Sequence, residues 1–219
     1  MGRLGQKDDY NVRDLLKRAA LAARSRRRRR CRKAIALYRR VMEFEPDNVD
    51  HHRKLAPLLA HVGQPVEAYV SYRLVAEDRF NRGFVDQAIG IYREAVQTLP
   101  RQLPVWKELA ALEVKRDRPA DAAMVLLAGR SHFRGRRFRS QAIELLAEAN
   151  RLRPGDLAIT FDLASLLARA GEPRRALHLL DQLTAAHPKL LRRIRAKQLR
   201  IVAGPRTAWR WLRALLLNR

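Results

Sequence analysis

The residues in this sequence best suited to chemistry are arginines, and they come in runs. Arg24 and Arg26 to Arg30, with Arg32 and Lys33, form one run. Arg130, Arg134, Arg136, Arg137 and Arg139 form another. A guanidinium is a planar fork of donors that grips carboxylate or phosphate bidentately and keeps its charge at any ordinary pH. The chemistry open to such runs is anion binding rather than bond making. Arg26, Arg27, Arg28, Arg29, Arg30, Arg134, Arg136, Arg137 and Arg139 are therefore the candidate anion- or partner-binding residues. The competing reading is that both runs are solvated, partly flexible loops.

Other reactive side chains do not form a constellation. His51 and His52 are adjacent and point to different helix faces, and His61, His132, His178 and His187 are scattered, as surface or helix-end histidines are. They lack the spacing and the Cys or acidic company of a zinc site. Glu144 and Glu148 share a helix face at the spacing of paired carboxylates, but neighbouring arginines make that a solvated ionic face. Cys31 is the one cysteine, so no internal disulfide is possible. It reads as a small buried residue beside Ala34. The sequence has no glycine-rich phosphate loop, nucleophile elbow or HExxH. The expectation is a protein that is not an enzyme and uses no cofactor or metal.

Charge sets the class of partner. The net charge is +24, and lysine supplies only eight of the 46 basic residues. An acidic protein partner fits that balance, and nucleic acid is the other polyanion it would suit. A codon bias toward arginine is the neutral explanation. The start of the chain lacks the apolar stretch of a secretory signal, and no apolar run approaches a membrane span, so a cytoplasmic protein is expected.

The elements that must carry these residues are helices in a repeat. Pro46, Pro100 and Pro154 are spaced 54 residues apart, and so are Pro65, Pro119 and Pro173. Ala34, Ala88 and Ala142 keep that interval, as do Leu55, Leu109 and Leu163, Ala56, Ala110 and Ala164, and Ala68, Ala122 and Ala176. The unit holds three helices, exemplified by about 49–61, 65–80 and 84–98. Apolar residues recur three and four apart, as in Ala88, Ile91, Tyr92 and Ala95. Pro65, Pro119 and Pro173 suit a first helical turn. Gly63 and Gly171 suit the end of the preceding helix. A leading pair (about 12–24 and 33–44) and a closing pair (about 190–202 and 205–217) bring the expected total to about twelve helices. Pro57 should bend its helix or mark its true start.

These positions resemble the tetratricopeptide repeat, a helix pair with an aromatic, Leu and a small residue on the first helix and Ala and a large residue on the second. Trp106, Leu109 and Ala110 precede Ala122 and Leu126. Leu55, Ala56 and Leu59 precede Ala68 and Tyr72. Leu163, Ala164 and Leu167 precede Ala176, Leu180 and Pro188. The leading pair offers Leu21, Ala22, Ala34, Tyr38 and Pro46. The resemblance implies an all-α, right-handed α-solenoid of antiparallel helix pairs and a non-catalytic scaffold or adaptor that binds other proteins. The family period is about 34 residues, so this chain is a variant in which the helix from Pro65 serves two pairs.

The expected organisation is a disordered 1–10, a repeat array over 11–188 and a degenerate closing pair over 189–219. By the resemblance, the groove would present Arg53, Lys54, Lys107, Lys115 and Arg169. The asparagines that complete a carboxylate clamp in some family members are missing, their places held by Lys54 or Pro57, Glu108 or Ala111, and Asp162 or Ser165. The two arginine runs fall at joins that the repeat makes equivalent, and equivalent joins are expected on one edge. The copy between them, around Asp78 to Arg82, is mixed in charge. The tail, with Trp209, Leu212 and Leu216 in one stripe, is read as the closing helix of the array rather than a membrane contact.

Overall fold

The computed structural model describes the backbone of residues 3–25 and 27–202. Eleven α-helices make up almost all of it, with no strand among the described residues: α1 Arg3–Ala23, α2 Arg28–Phe44, α3 Asp50–Val62, α4 Pro65–Asn81, α5 Val85–Thr98, α6 Leu103–Lys115, α7 Pro119–Arg130, α8 Arg139–Leu152, α9 Leu157–Ala170, α10 Pro173–Ala186 and α11 Leu191–Val202. The chain divides within α6 into two compact units, Met1–Leu112 and Glu113–Arg219.

In the first unit each helix packs on the next, from α1 to α5. In the second, α7 packs on α8, α8 on α9, α9 on α10 and α10 on α11. Joins of a few residues between packed neighbours force them antiparallel. The expected punctuation is in place. Pro65, Pro119 and Pro173 open α4, α7 and α10. Gly63 and Gly171 close α3 and α9 in the left-handed region, at φ 89° and 93°, which costs glycine little.

The small and large residues of the repeat pattern build the cores. In the first unit Ala34, Ala56, Ala68, Ala88 and Ala110 are buried, with Tyr38, Tyr72 and Tyr92 beside them. In the second, Ala122, Ala142, Ala164 and Ala176 are buried with Leu126, Leu146 and Leu180. Alanine lets two helix backbones approach, and the large side chain four residues on fills the space that opens next to them. Trp106 is buried and anchors its indole N–H on the Pro100 carbonyl at 3.0 Å.

The leading pair departs from expectation. α1 spans Arg3–Ala23, so it takes in most of the stretch expected to precede the first helix. Leu21 is 66% exposed, and the inward face is Val12, Leu15 and Ala19. Val12 and Leu15 pack with Val41, joined by Leu16 and Leu37. The buried alanines of α1 and α2, at 19 and 34, lie 15 residues apart, against 12 for those of α3 and α4, at 56 and 68. The longer spacing changes which residues of α1 face α2. Pro57 lies inside α3, which continues on both sides of it, so it does not mark a start. The expected helix over 205–217 lies outside the described residues.

Candidate partner-binding surface

The first arginine run is not a loose loop. α2 begins at Arg28, so Arg28, Arg29 and Arg30 lie on its opening turn and Arg27 is its N-cap, with no side-chain cap. The turn before it is pinned. The Cys31 thiol donates to the Ser25 carbonyl at 3.2 Å, and the Arg27 N–H donates to Ser25 Oγ at 3.4 Å. Cys31 itself is buried. Arg27 to Arg30 are all exposed; Arg26 lies outside the described residues. A helix N-terminus carries partial positive charge, so guanidinium groups gathered there oppose the helix dipole. They do not serve the stability of α2.

The second run divides into two kinds of arginine. Arg130 pairs with Asp162 at 2.8 Å, tying α7 to α9. Arg139, the first residue of α8, donates to the backbone carbonyl of Arg169 in the last turn of α9. Those two hold the second unit together, and Arg139 therefore does not fit the expected role of a free anion ligand. Arg134, Arg136 and Arg137 are exposed. Their backbone is set by Gly135 at φ 88° and by the buried Phe133, which meets Phe138 edge to face at 6.1 Å. Arg137 lies over the Phe138 ring at 5.4 Å, and Arg134 Nε donates to the Ser131 carbonyl at 3.0 Å. None of the three forms an ion pair among the described residues.

The join between α4 and α5 is the contrast. Asp78 pairs with Arg82 at 2.8 Å and approaches Arg79 at 3.9 Å, while Arg79 also bonds Asp50. Acidic neighbours therefore neutralise both arginines. The join also lies elsewhere than expected. It follows the α1–α2 join by three helices, and an odd number of antiparallel steps reverses direction. The two joins sit at opposite ends of the first unit, so a repeat of three helices cannot keep successive equivalent joins on one edge.

The groove residues are spread. Arg53 and Lys54 on α3 are exposed and Lys107 on α6 is half-buried, all in the first unit. Lys115 and Arg169 are exposed in the second. Carboxylates stand among these cations. Glu108 accepts from the Tyr69 hydroxyl at 2.6 Å. Burial, with the hydrogen bond to that carboxylate and its charge, pushes the Tyr69 phenol up to about 12. Tyr92 is raised by burial and by the same carboxylate. Glu108 is thus built into the α4–α6 contact.

Two features escaped the sequence reading. His51 is buried, with Nε2 2.6 Å from a Glu45 carboxylate oxygen that Asn48 also reaches at 2.9 Å. The hydrogen bonds from His51 and Asn48 hold Glu45 below the usual carboxylate range. Beside it, His52 Nδ1 is 3.3 Å from Ser71 Oγ, and burial lowers its pKa, helped by the nearby His51 charge. The second feature is α11, whose Arg192, Arg193, Arg195 and Arg200 are exposed. The readable signal was the complete lack of Asp and Glu after Asp181. No group of acidic, His and Cys side chains among the described residues is arranged to hold a metal ion.

Comparison with known proteins places a repeat model on the second unit. Residues 139–200, covering α8 to most of α11, match the tetratricopeptide repeat model. No curated protein matches the chain. Among solved structures, the MamA protein is 14% identical, with a TM-score of 0.31 over 83% of this chain and 94% of that one. A thermophilic TPR protein of Thermus thermophilus is 16% identical, with a TM-score of 0.28 over 87% of this chain and 98% of that one. The TPR2AB domain of yeast Sti1, in its complex with pHSP90, is 12% identical, with a TM-score of 0.30 over 88% and 99% of the two chains. Antiparallel helices packed in order and buried alanines set against large residues accompany that match, so residues 139–200 are similar to the tetratricopeptide repeat and the helices before them follow the same packing pattern.

Proposed function

We propose that this protein is a non-catalytic scaffold that docks acidic segments of a partner protein on two surfaces, Arg27 to Arg30 in the first unit and Arg134, Arg136 and Arg137 in the second. Helical repeats present extended surfaces without needing a cofactor. The observation that carries the reading is the unequal treatment of arginine. At the α4–α5 join Asp78 and Asp50 answer the arginines, whereas Arg27 to Arg30 and Arg134, Arg136 and Arg137 have no ion pair among the described residues. A guanidinium left unpaired on a pinned turn is available to a carboxylate from outside. Bidentate Arg–carboxylate contacts give such a site geometric selectivity as well as attraction.

The test is a titration of the full chain with a fluorescent acidic peptide and, in parallel, with duplex DNA, each at several salt concentrations. The scaffold reading expects the peptide to bind and to keep measurable affinity at moderate salt. Nucleic acid bound through phosphates would instead show a steep linear fall of log affinity with log salt. DNA binding with no peptide binding would replace the acidic-protein partner by nucleic acid.

A further inference from the structure

α11 gathers exposed arginines on one face. Its inward side is Ile194, fully buried, with Leu191, Gln198 and Ile201 half-buried around it. Lys197 turns its ammonium toward the Phe161 ring, at 5.7 Å. The outward side is exposed throughout. Arg192, Ala196 and Arg200 form one row four residues apart, and Arg195 and Leu199 form the next, with Arg193 flanking them. Leu199 is 66% exposed in the middle of this arginine face.

Among the described residues no carboxylate answers that charge. Asp181 is the last acidic residue of the chain, and it accepts a hydrogen bond from Gln198 at 2.7 Å. No ion pair involves Arg192, Arg193, Arg195 or Arg200 among the described residues. Arg192 with Arg195, and Arg193 with Lys197, place like charges at helical contact spacing, which weakens a helix. The arrangement therefore costs stability and calls for an external anion.

We infer that the outward face of α11 docks the protein on an anionic lipid surface. A row of guanidinium groups matches a layer of lipid phosphates and carboxylates, and each basic residue near such a surface adds attraction. Leu199 decides between anions. On a nucleic-acid backbone an exposed leucine among arginines gains nothing. At a lipid interface it enters the acyl boundary while the arginines around it extend their stems and keep their charges at the headgroups. This face shares no residue with the arginine runs assigned to a protein partner.

The experiment is co-sedimentation of the full chain with vesicles of phosphatidylcholine alone and of phosphatidylcholine mixed with phosphatidylserine, beside a titration with duplex DNA. The protein is expected to bind only the mixed vesicles. Arg192→Gln, Arg193→Gln, Arg195→Gln and Arg200→Gln together should lower that affinity by at least about tenfold, and the same four changed to Lys should retain most of it. Leu199→Gln alters one exposed side chain and leaves the fold intact. It should lower vesicle affinity severalfold while leaving DNA binding unchanged. Unaltered vesicle binding in either the four-residue Gln variant or Leu199→Gln overturns the assignment. So does DNA binding that falls with the four arginines while no vesicle binding is found.

Discussion

Arg139 at the start of α8 and Arg169 at the end of α9 are joined by a hydrogen bond from the first guanidinium to the second residue's backbone carbonyl. The bond satisfies one of the carbonyls a helix leaves open at its C-terminus and sets positive charge where the helix dipole favours it. Arg139→Gln should therefore destabilise the second unit by about 1 kcal/mol. Arg136→Gln, at an exposed residue three positions earlier, should change the melting temperature little. Equal effects in thermal denaturation would remove the structural role of Arg139.

Ala110 is buried on α6 and is 1% exposed. Ala110→Leu adds three carbons where the backbones have no room to part, and overpacking of this kind costs about 1–3 kcal/mol. The measurement is the denaturant midpoint. Ala111→Leu, next to it and exposed, should leave the midpoint unchanged and serves as the control.

Gly155 has φ 89°, and a Cβ added there would lie 2.9 Å from His187 Nε2. Gly171 has φ 93° and nothing within 4 Å of such a Cβ. Both substitutions to Ala meet the left-handed backbone penalty, about 1 kcal/mol. Gly155→Ala should cost more, because the imidazole must also move. Adding His187→Ala to Gly155→Ala should recover that excess relative to His187→Ala alone. Gly171→Ala combined with His187→Ala should show no coupling.

The α2–α3 corner should make stability depend on pH. Burial lowers the pKa of His52 from 6.5. Hydrogen bonds lower that of Glu45 from 4.5. Both depressions contribute stability that is present above the unfolded values and lost as pH falls through the folded ones. Stability should thus decline in two steps on acidification, the first below about 6.5 from His52 and the second below about 4.5 from Glu45. His52→Gln should flatten the first step and Glu45→Gln the second, read as melting temperature across the pH range.

Much of this fold was legible in the sequence because its signals are local. A proline at the first turn, a glycine just past the last, and alanine paired with a large residue four on each have one physical meaning in a helical repeat. Two kinds of information were not local. The sequence pattern puts the start of α2 at Lys33, whereas the helix begins at Arg28, because the run contains no capping residue to mark a boundary. The bond from Arg139 was invisible because its acceptor is a backbone carbonyl, which no side-chain pattern reports. The buried contact of His51 with Glu45 was missed for a related reason. Six residues separate them across a corner between helices, which fits no helical spacing.

The central claim is that Arg134, Arg136 and Arg137 are available to a partner because none of the described residues neutralises them, and one comparison tests it most directly. All three are changed to Gln in one variant. In the other, Arg151, Arg153 and Arg175 are changed to Gln; these lie in the same unit and pair with Glu148, Asp156 and Glu172. The same charge is removed from each. Titration with the acidic peptide should show the first variant weakened by about tenfold or more, and the second by no more than a small factor set by overall charge. Equal weakening in the two variants would contradict the claim, because long-range attraction by net charge would then account for all of the binding.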